Sequence, residues 1–515
     1  MGRCIPFYIP NKMKKMIFIL LIYSYTEVLY SQKHDYIWLF GYDYQPANPG
    51  IEGSLLDFNY QPVAVEPNIR NMGLQSSVAM ISDASGNLLF YTNGCWIADR
   101  THNMMQNGDG INPGEVHDLR CDEDDVNAYT AGYQSCLISP KPEAPNIYYL
   151  FHKHIIYEYE PSFETVADAL LLSVVDISLN NGLGKVVQKN VTLSTGELTF
   201  GQMTAVKHAN GRDWWVINSL DTTNVYSLLL LTPDGFSGPY EQQIGLSSTL
   251  AASGAGQANF SPNGAKYVRY TPQDDIFLFD FDRATGLLSN FQFIPLEEEE
   301  ETTGGAVFSP NSRYLYIPSG LFIYQYDTEA ADVAATKTVV AEWNGVSSPF
   351  PTRFRNAQLG PDCRIYVYCG SCDVIQVIHY PDEPGLACQV EQQAIQLPYP
   401  MFRSMPHFPN YRLGPAGEEG LPCQPVVSVQ EQRQALAPVV YPNPVQGGQV
   451  VIETGLSDLR EGTARLYTVH GALARQWAFS AVAGRFTLDV SGLPPGVYGL
   501  EVHPGLPVVR VVIVR

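Results

Sequence analysis

The chain has 515 residues, enough for two or three domains. Aromatics make up 12% of it, 43 Gly and 37 Pro punctuate it, and charged residues are only 16%, a mix that excludes long charged helices and favours many short strands. The net charge of −21 speaks against nucleic acid or anionic lipid as partners, because gripping a phosphate backbone needs clustered Lys and Arg. Simple solubility outside a cell accounts for the acidity.

At the N-terminus, Lys12, Lys14 and Lys15 precede an apolar run over residues 16–23, and Leu29-Tyr30-Ser31 offers a cleavage site before Gln32. Residues 1–31 therefore read as a signal peptide, with Met13 or Met16 as alternative starts. The run is shorter than the ~20 apolar residues a spanning helix needs. The mature chain is expected to be soluble, or held at a membrane by something other than its own helices. With this segment and the C-terminal tail set aside, the middle carries a charge of about −25.

Residues 32–412 repeat one theme: a short apolar strand, a turn of Ser, Pro, Asp, Asn or Gly, an aromatic strand, another turn and a further strand. The clearest copies are Ala258-Asn-Phe-Ser-Pro-Asn-Gly, Ala306-Val-Phe-Ser-Pro-Asn-Ser and Ala357-Gln-Leu-Gly-Pro-Asp-Cys, each followed by two strands. Aligned on their turns they lie about 48 and 51 residues apart, the period of one four-stranded propeller blade. Looser copies start near Val78, Cys136 and Met203. A further blade is expected from both ends of the segment, with 404–411 as its inner strand and 36–41 and 55–58 as partners, which removes exposed sheet edges. The fold class is all-β: a β-propeller of seven blades, six or eight being alternatives, followed by a small Ig-like β-sandwich.

Several clusters could carry chemistry. His208, Arg212 and Asp213 flank a tryptophan pair and are candidate binding residues, although Asn210-Gly211 between two apolar runs reads first as a two-residue hairpin. Asp109, Asp122, Asp124 and Asp125 lie in acidic loops whose oxygens would suit calcium, the one cofactor suggested, but no EF-hand spacing is present and a solvated loop is the favoured reading. Glu297 to Glu301 reads as a solvated loop. His152, His154, His379 and His407 are candidates to meet at a central channel, and each also reads as a strand histidine. Nucleophile, zincin, phosphate-loop and dinucleotide motifs are absent, so no catalytic residue is assigned.

Cys4 falls in the signal segment, leaving Cys95, Cys121, Cys136, Cys363, Cys369, Cys372, Cys388 and Cys423. An even number in an exported chain fits disulfides, with the pairing open. Cys369-Gly-Ser-Cys372 sits between two strand-like runs, so a hairpin disulfide is expected there and not a redox motif.

Residues 413–440 read as a linker. Residues 441–515 then give short alternating runs separated by Gly and Pro, as in a small antiparallel sandwich, with Leu493-Pro-Pro-Gly496 as a turn. Three ordered blocks stand out: Tyr441-Pro442-Asn443-Pro444, Ala464-Arg-Leu-Tyr-Thr-Val-His-Gly, and a block containing Leu493, Pro494, Gly496 and Tyr498. The segment resembles the type A C-terminal sorting domain of proteins exported by the type IX secretion system of Gram-negative bacteria. It departs from that pattern in its last strand, where Arg510 and Arg515 supply the positive charge in place of lysines. The resemblance implies passage through the periplasm to the outside or outer cell surface, with the secretion machinery as partner and the tail as secretion and attachment signal.

The repeats in turn resemble secreted propellers that carry such a tail, in phrases such as Gly86-Asn-Leu-Leu-Phe-Tyr-Thr-Asn-Gly94, Leu359-Gly-Pro-Asp-Cys-Arg-Ile-Tyr366 and Phe408-Pro-Asn-Tyr-Arg412. This implies fold and export more than activity. The expected role is binding of an extracellular protein or glycan through loops at 101–112 and 118–130. The alternative is a lactonase- or glycosidase-like propeller hydrolase with calcium in its channel.

Overall fold

A computed structural model of the chain describes residues 32–42, 50–122, 128–129, 132–160, 163–249, 256–296, 304–402, 405–423, 438–454, 461–468, 472–481, 485–502 and 509–514. The proposed signal peptide and the 297–301 acidic run lie outside these. The chain forms two compact units, 1–425 and 426–515.

Seven antiparallel sheets make up the described part of the first unit. Blade 1 comprises Ile37–Gly41, Gly53–Asp57 and Ala64–Asn68; blade 2 comprises Ala79–Ser82, Leu88–Thr92 and Ile97–Asp99. Blade 3 has Cys136–Pro140, Ile147–Glu158, Glu164–Asp176 and Lys185–Leu198, and blade 4 has Thr204–Lys207, Trp214–Ser219, Val225–Thr232 and Gly235–Gln243. Blade 5 runs from Gln257–Phe260 to Leu287–Ile294, blade 6 from Val307–Phe308 to Thr338–Glu342, and blade 7 from Ala357–Leu359 to Val390–Gln396. In each sheet the strands pair in chain order, and the first strands of blades 1 to 3, and those of blades 4 to 7, lie against their neighbours. This is a seven-bladed β-propeller.

The strongest repeat signal has a local cause. In blade 5 the Ser261 hydroxyl donates to Asn263 Oδ1 at 2.7 Å and accepts from the Lys266 amide at 2.9 Å. In blade 6 Ser309 does the same with Asn311 and the Tyr314 amide, at 2.6 and 2.8 Å. The serine thus closes the turn between the first two strands by standing in for ladder partners. Gly264 in the first of these turns has φ +72°, and a Cβ there would come within 2.6 Å of Arg283, so both backbone and space require glycine.

The blades pack through aromatic and branched side chains on both faces, as four core clusters that together run around the ring. Closure between blades 7 and 1 is carried by Trp38, whose ring lies 4.7 Å from Phe58 and 5.2 Å from Tyr366. Of the inner strand expected at 404–411, residue 404 lies outside the described residues and 405–411 carry no strand, Ile37–Gly41 already holding that place. Pro406 and Pro409 explain this, since each lacks the amide proton a ladder needs.

Blades 1 and 2 each show three strands. The missing fourth position of blade 2 is met in part by Met104, which bridges Ala98, and by Gln106, which bridges Lys185 on the outer strand of blade 3. The 101–112 segment is therefore bound between two blade edges and does not hang free.

Disulfides join Cys95 to Cys121, Cys363 to Cys423, and Cys369 to Cys372. The third lies at the expected hairpin between Ile365–Val367 and Val374–Ile378. Cys136 and Cys388 are buried and unbridged.

The second unit is a two-sheet sandwich. Val439–Tyr441, Gln449–Glu453 and Arg485–Asp489 form one sheet; Glu461–Thr468, Leu473–Ser480, Gly496–Glu501 and Val509–Ile513 form the other. Ile452, Leu466, Phe486, Leu500 and Val511 are among the residues that fill its core.

Candidate functional site

The axis of a propeller is where catalytic groups from several blades can converge, and here the chain itself fills it. Residues 405–413 cross the inner strands and are hydrogen-bonded to four blades, Asn410 Nδ2 donating to the Pro262 carbonyl of blade 5 at 2.8 Å. Gln134, just before blade 3, lies 2.9 Å from His407 Nδ1 through its amide nitrogen, which also donates to the Ala258 carbonyl of blade 5 at 2.7 Å. His407 Nε2 is 3.2 Å from Thr204 Oγ1 in blade 4. The Phe408 amide donates to Gln358 Oε1 in blade 7 at 3.2 Å, and the Tyr411 hydroxyl to the Ile138 carbonyl in blade 3 at 2.8 Å. Burial pushes His407 down to about 3, so it sits as a neutral ring.

The plug leaves the axis through a buried ion pair. Arg412 Nη1 and Nη2 donate to the two oxygens of Asp35 at 2.7 and 2.6 Å, and its Nε donates to the Pro422 carbonyl at 2.7 Å. Asp35 is 5% exposed; removing one partner of such a pair costs about 3–5 kcal/mol, because the other charge stays buried. Leu413 is buried and Cys423 is bridged to Cys363, so the ring continues past Arg412, where sequence alone begins the linker. Beside this exit lies a cleft lined by Phe260, Phe308, Gln358, Phe408 and Asn410, among others, holding about 50 Å³. That is room for a few water molecules and far short of the roughly 300 Å³ of a small-molecule pocket.

The histidines proposed for the channel do not meet. Only His407 is axial. His152 is buried between Asn112 Oδ1 at 2.6 Å and Ser173 Oγ at 3.0 Å, with burial holding it down to about 3. His154 pairs with Asp168 at 2.6 Å, and His379 with Glu391 at 2.7 Å on the rim of blade 7. A group absent from sequence reasoning is Lys153, buried on blade 3, whose ammonium donates to the Thr199 and Gly201 carbonyls at 2.6 Å each. Burial lowers it to about 7.

His208, Arg212 and Asp213 do come together, at the turn between the first two strands of blade 4. That turn spans six residues between the paired Lys207 and Trp214, not two. Gly211 takes φ +71°, while Asn210 does not take the positive φ a two-residue turn of that kind requires. Asp213 accepts from Arg212 Nε at 2.8 Å and from Asn210 Nδ2 at 2.8 Å, and Arg212 also reaches Glu143 at 2.9 Å. His208 Nε2 faces the Ala284 carbonyl at 3.1 Å. The arrangement commits each charge to a neighbour within the ring.

Of the proposed calcium ligands, Asp109 is exposed and paired with Lys189 at 3.1 Å, which holds its carboxyl below the usual range. Asp122 ends a π-helical turn Asp118–Asp122; Asp124 and Asp125 lie outside the described residues. Among the described residues, no three His, Cys, Asp or Glu side chains are grouped to hold a metal ion.

A lobe on blade 3 escaped the sequence reading. Ile147–Glu158 and Glu164–Asp176 pair over 12 and 13 residues, about twice the usual strand length. Near the end of this hairpin Tyr159 is 59% and Phe163 62% exposed. Phe163 sits 5.3 Å from Tyr157 and 5.7 Å from Tyr159, ring centre to ring centre. The Tyr159 hydroxyl donates to Glu115 at 2.5 Å, His154 contacts the Pro113 carbonyl at 2.8 Å, and the turn that follows is tied to blade 2 by Cys95–Cys121. The lobe is thus braced on two sides. Its signal was the alternation running on through Tyr157-Glu158-Tyr159-Glu160, past the point where a four-residue strand would end.

In the second unit the first sorting block is built into the sandwich. Asn443 Nδ2 donates to the Arg510 carbonyl at 2.7 Å and its Oδ1 accepts from the Val512 amide at 2.9 Å. Tyr441 donates to Glu453 at 2.6 Å, and Pro442 and Pro444 flank Asn443 in the bend between. Leu493 and Pro494 form the turn before Gly496, and the Tyr498 hydroxyl donates back to the Pro494 carbonyl at 2.8 Å. Blocks distant in sequence are therefore parts of one fold.

Residues 439–514 match the secretion system C-terminal sorting domain. The chain is a cargo of the type IX secretion system, delivered to the cell surface or the extracellular space. No curated protein matches the chain. Among solved structures it is similar to the periplasmic gluconolactonase PpgL of Pseudomonas aeruginosa, at 12% identity over 72% of this chain and 98% of that one, with a TM-score of 0.42. It is also similar to a protein from Lactobacillus plantarum, at 13% identity over 71% and 97%, TM-score 0.43. A third is the Swd1 β-propeller domain of Myceliophthora thermophila, at 10% over 61% and 86%, TM-score 0.35. Likeness at this level assigns no chemistry to the chain.

Proposed function

We propose that this exported propeller is a binding protein, taking an extracellular protein or glycan, with no chemistry of its own. The observation that carries the reading is the lobe of blade 3, where large aromatic side chains stand in solvent at the end of a braced hairpin. Exposed aromatic groups held by a scaffold are the material of recognition sites. The filled axis supports the same reading, because a hydrolase site centred there would have to displace residues 405–413 from bonds to four blades.

The test is retention of the mature chain on a glycan and cell-envelope array, alongside a Tyr159→Ser/Phe163→Ser variant. Specific retention that falls at least about tenfold in the variant is expected, as for loss of two interface anchors. Turnover of a lactone, ester or glycoside by the purified chain, with no specific retention, overturns the proposal.

A further inference from the structure

Export is expected to remove residues 1–31, which makes Gln32 the first residue of the working chain. Gln32 is exposed and lies where the axial plug leaves the ring, held there through two oxygens. Its side-chain Oε1 accepts from Lys207 Nζ at 3.3 Å, and its main-chain carbonyl accepts from Arg412 Nη1 at 3.0 Å. Arg412 is in turn fixed on Asp35, and Lys207 is buried against the Trp214 ring. Cations prevail at this exit: Lys33, Lys207, Arg283 and Arg412 stand against Asp35 and Glu419, with His34 buried beside them. Burial, with Arg283 and Arg412 nearby, already pushes Lys207 down to about 8. A free α-ammonium on Gln32 would add one more positive charge to that group.

We propose that the leader is cut before Gln32 and that the new first residue closes to pyroglutamate. The α-amino nitrogen of Gln32 attacks its own side-chain carbonyl carbon. The N–Cδ bond forms, the Cδ–Nε bond breaks, and the amine gives up a proton to the side-chain nitrogen, which leaves as ammonia. This closure to a five-membered lactam needs no co-reactant, and the exposure of the residue leaves room for it. Both oxygens that meet Lys207 and Arg412 survive the step as acceptors, and the nitrogens that change take no part in those two contacts. The product is neutral among the cations and offers no amine to an aminopeptidase. Removal of the leader thus ends in a blocked terminus held by the same arginine that fastens the plug.

The test is the mass of the N-terminal peptide, with stepwise N-terminal degradation, on the full mature chain from freshly harvested cells that export it. The expected peptide starts at position 32, is lighter than the open sequence by one ammonia, and yields no residue to degradation until a pyroglutamyl peptidase has acted on the unfolded chain. Gln32→Asn keeps an amide but offers only a strained four-membered ring. It should start at the same position with a free amine, and an aminopeptidase that spares the parent should trim it. A parent chain that starts elsewhere overturns the cut and the lactam together. One that starts at position 32 with a free amine, or that becomes blocked only on storage, overturns the lactam and leaves the cut standing. A Gln32→Asn chain that is equally blocked shows that some other group caps the terminus, and it too overturns the lactam.

Discussion

His152 and His407 are buried, and burial holds each at about 3 against an ordinary value of 6.5. Between those two values the unfolded chain binds a proton at each position and the folded chain does not. Stability from these sites is therefore complete above pH 6.5 and is lost as pH falls toward 3. Two pH units below 6.5, each histidine withdraws roughly 2–3 kcal/mol. A His407→Gln variant keeps an amide able to face Gln134 and Thr204 but carries no titrating ring. Its urea midpoint is expected to change about half as much between pH 7 and pH 4.5 as that of the parent. An unchanged pH dependence in the variant would place the acid sensitivity elsewhere.

At the scale of elements, the axial plug does what a shared blade does in other ring closures: it links distant parts of the chain. It is held by Arg412 on Asp35 and by the disulfide from Cys363 to Cys423, 60 residues apart. Closing a loop of that length limits the unfolded chain by about 4 kcal/mol. A Cys363→Ser/Cys423→Ser variant should lose roughly that much in denaturant titration, and protease should nick residues 413–423 sooner than in the parent. If neither changes, the bridge contributes nothing to holding the plug. The repeats around Ser261 and Ser309 were legible because a serine, a proline and an asparagine close each turn locally. The plug was not, because its partners Ile138, Thr204, Pro262 and Gln358 come from four blades and leave no local pattern. For the same reason His208, Arg212 and Asp213 read correctly as neighbours, being within one turn, whereas the four histidines drawn together from afar did not meet. The lobe lay between these cases: its alternation was visible, but only the paired strands show that it extends past the blade.

For the whole molecule, the division into two compact units carries the strongest functional consequence. The tail has its own sheets and its own core, with Ile452, Leu466, Leu500 and Val511 nearly sealed from solvent. The ring likewise closes with its own residues: Trp38 on Tyr366, and Arg412 on Asp35. Removing 441–515 therefore takes no strand from any blade and leaves the ring's buried pairs intact. The truncated chain is expected to fold, to resist protease as the parent does, and to accumulate in the periplasm, because the sorting domain at 439–514 is what the secretion machinery reads. A milder change makes the same point without deletion. Asn443→Ala removes both hydrogen bonds to the last strand, at 2.7 and 2.9 Å from Arg510 and Val512, and should cost the tail about 1–3 kcal/mol while leaving the ring's melting unchanged. Fractionation of cells carrying each form decides the matter: a truncated chain at the cell surface in normal amounts would show that export is read from the propeller and not from its tail.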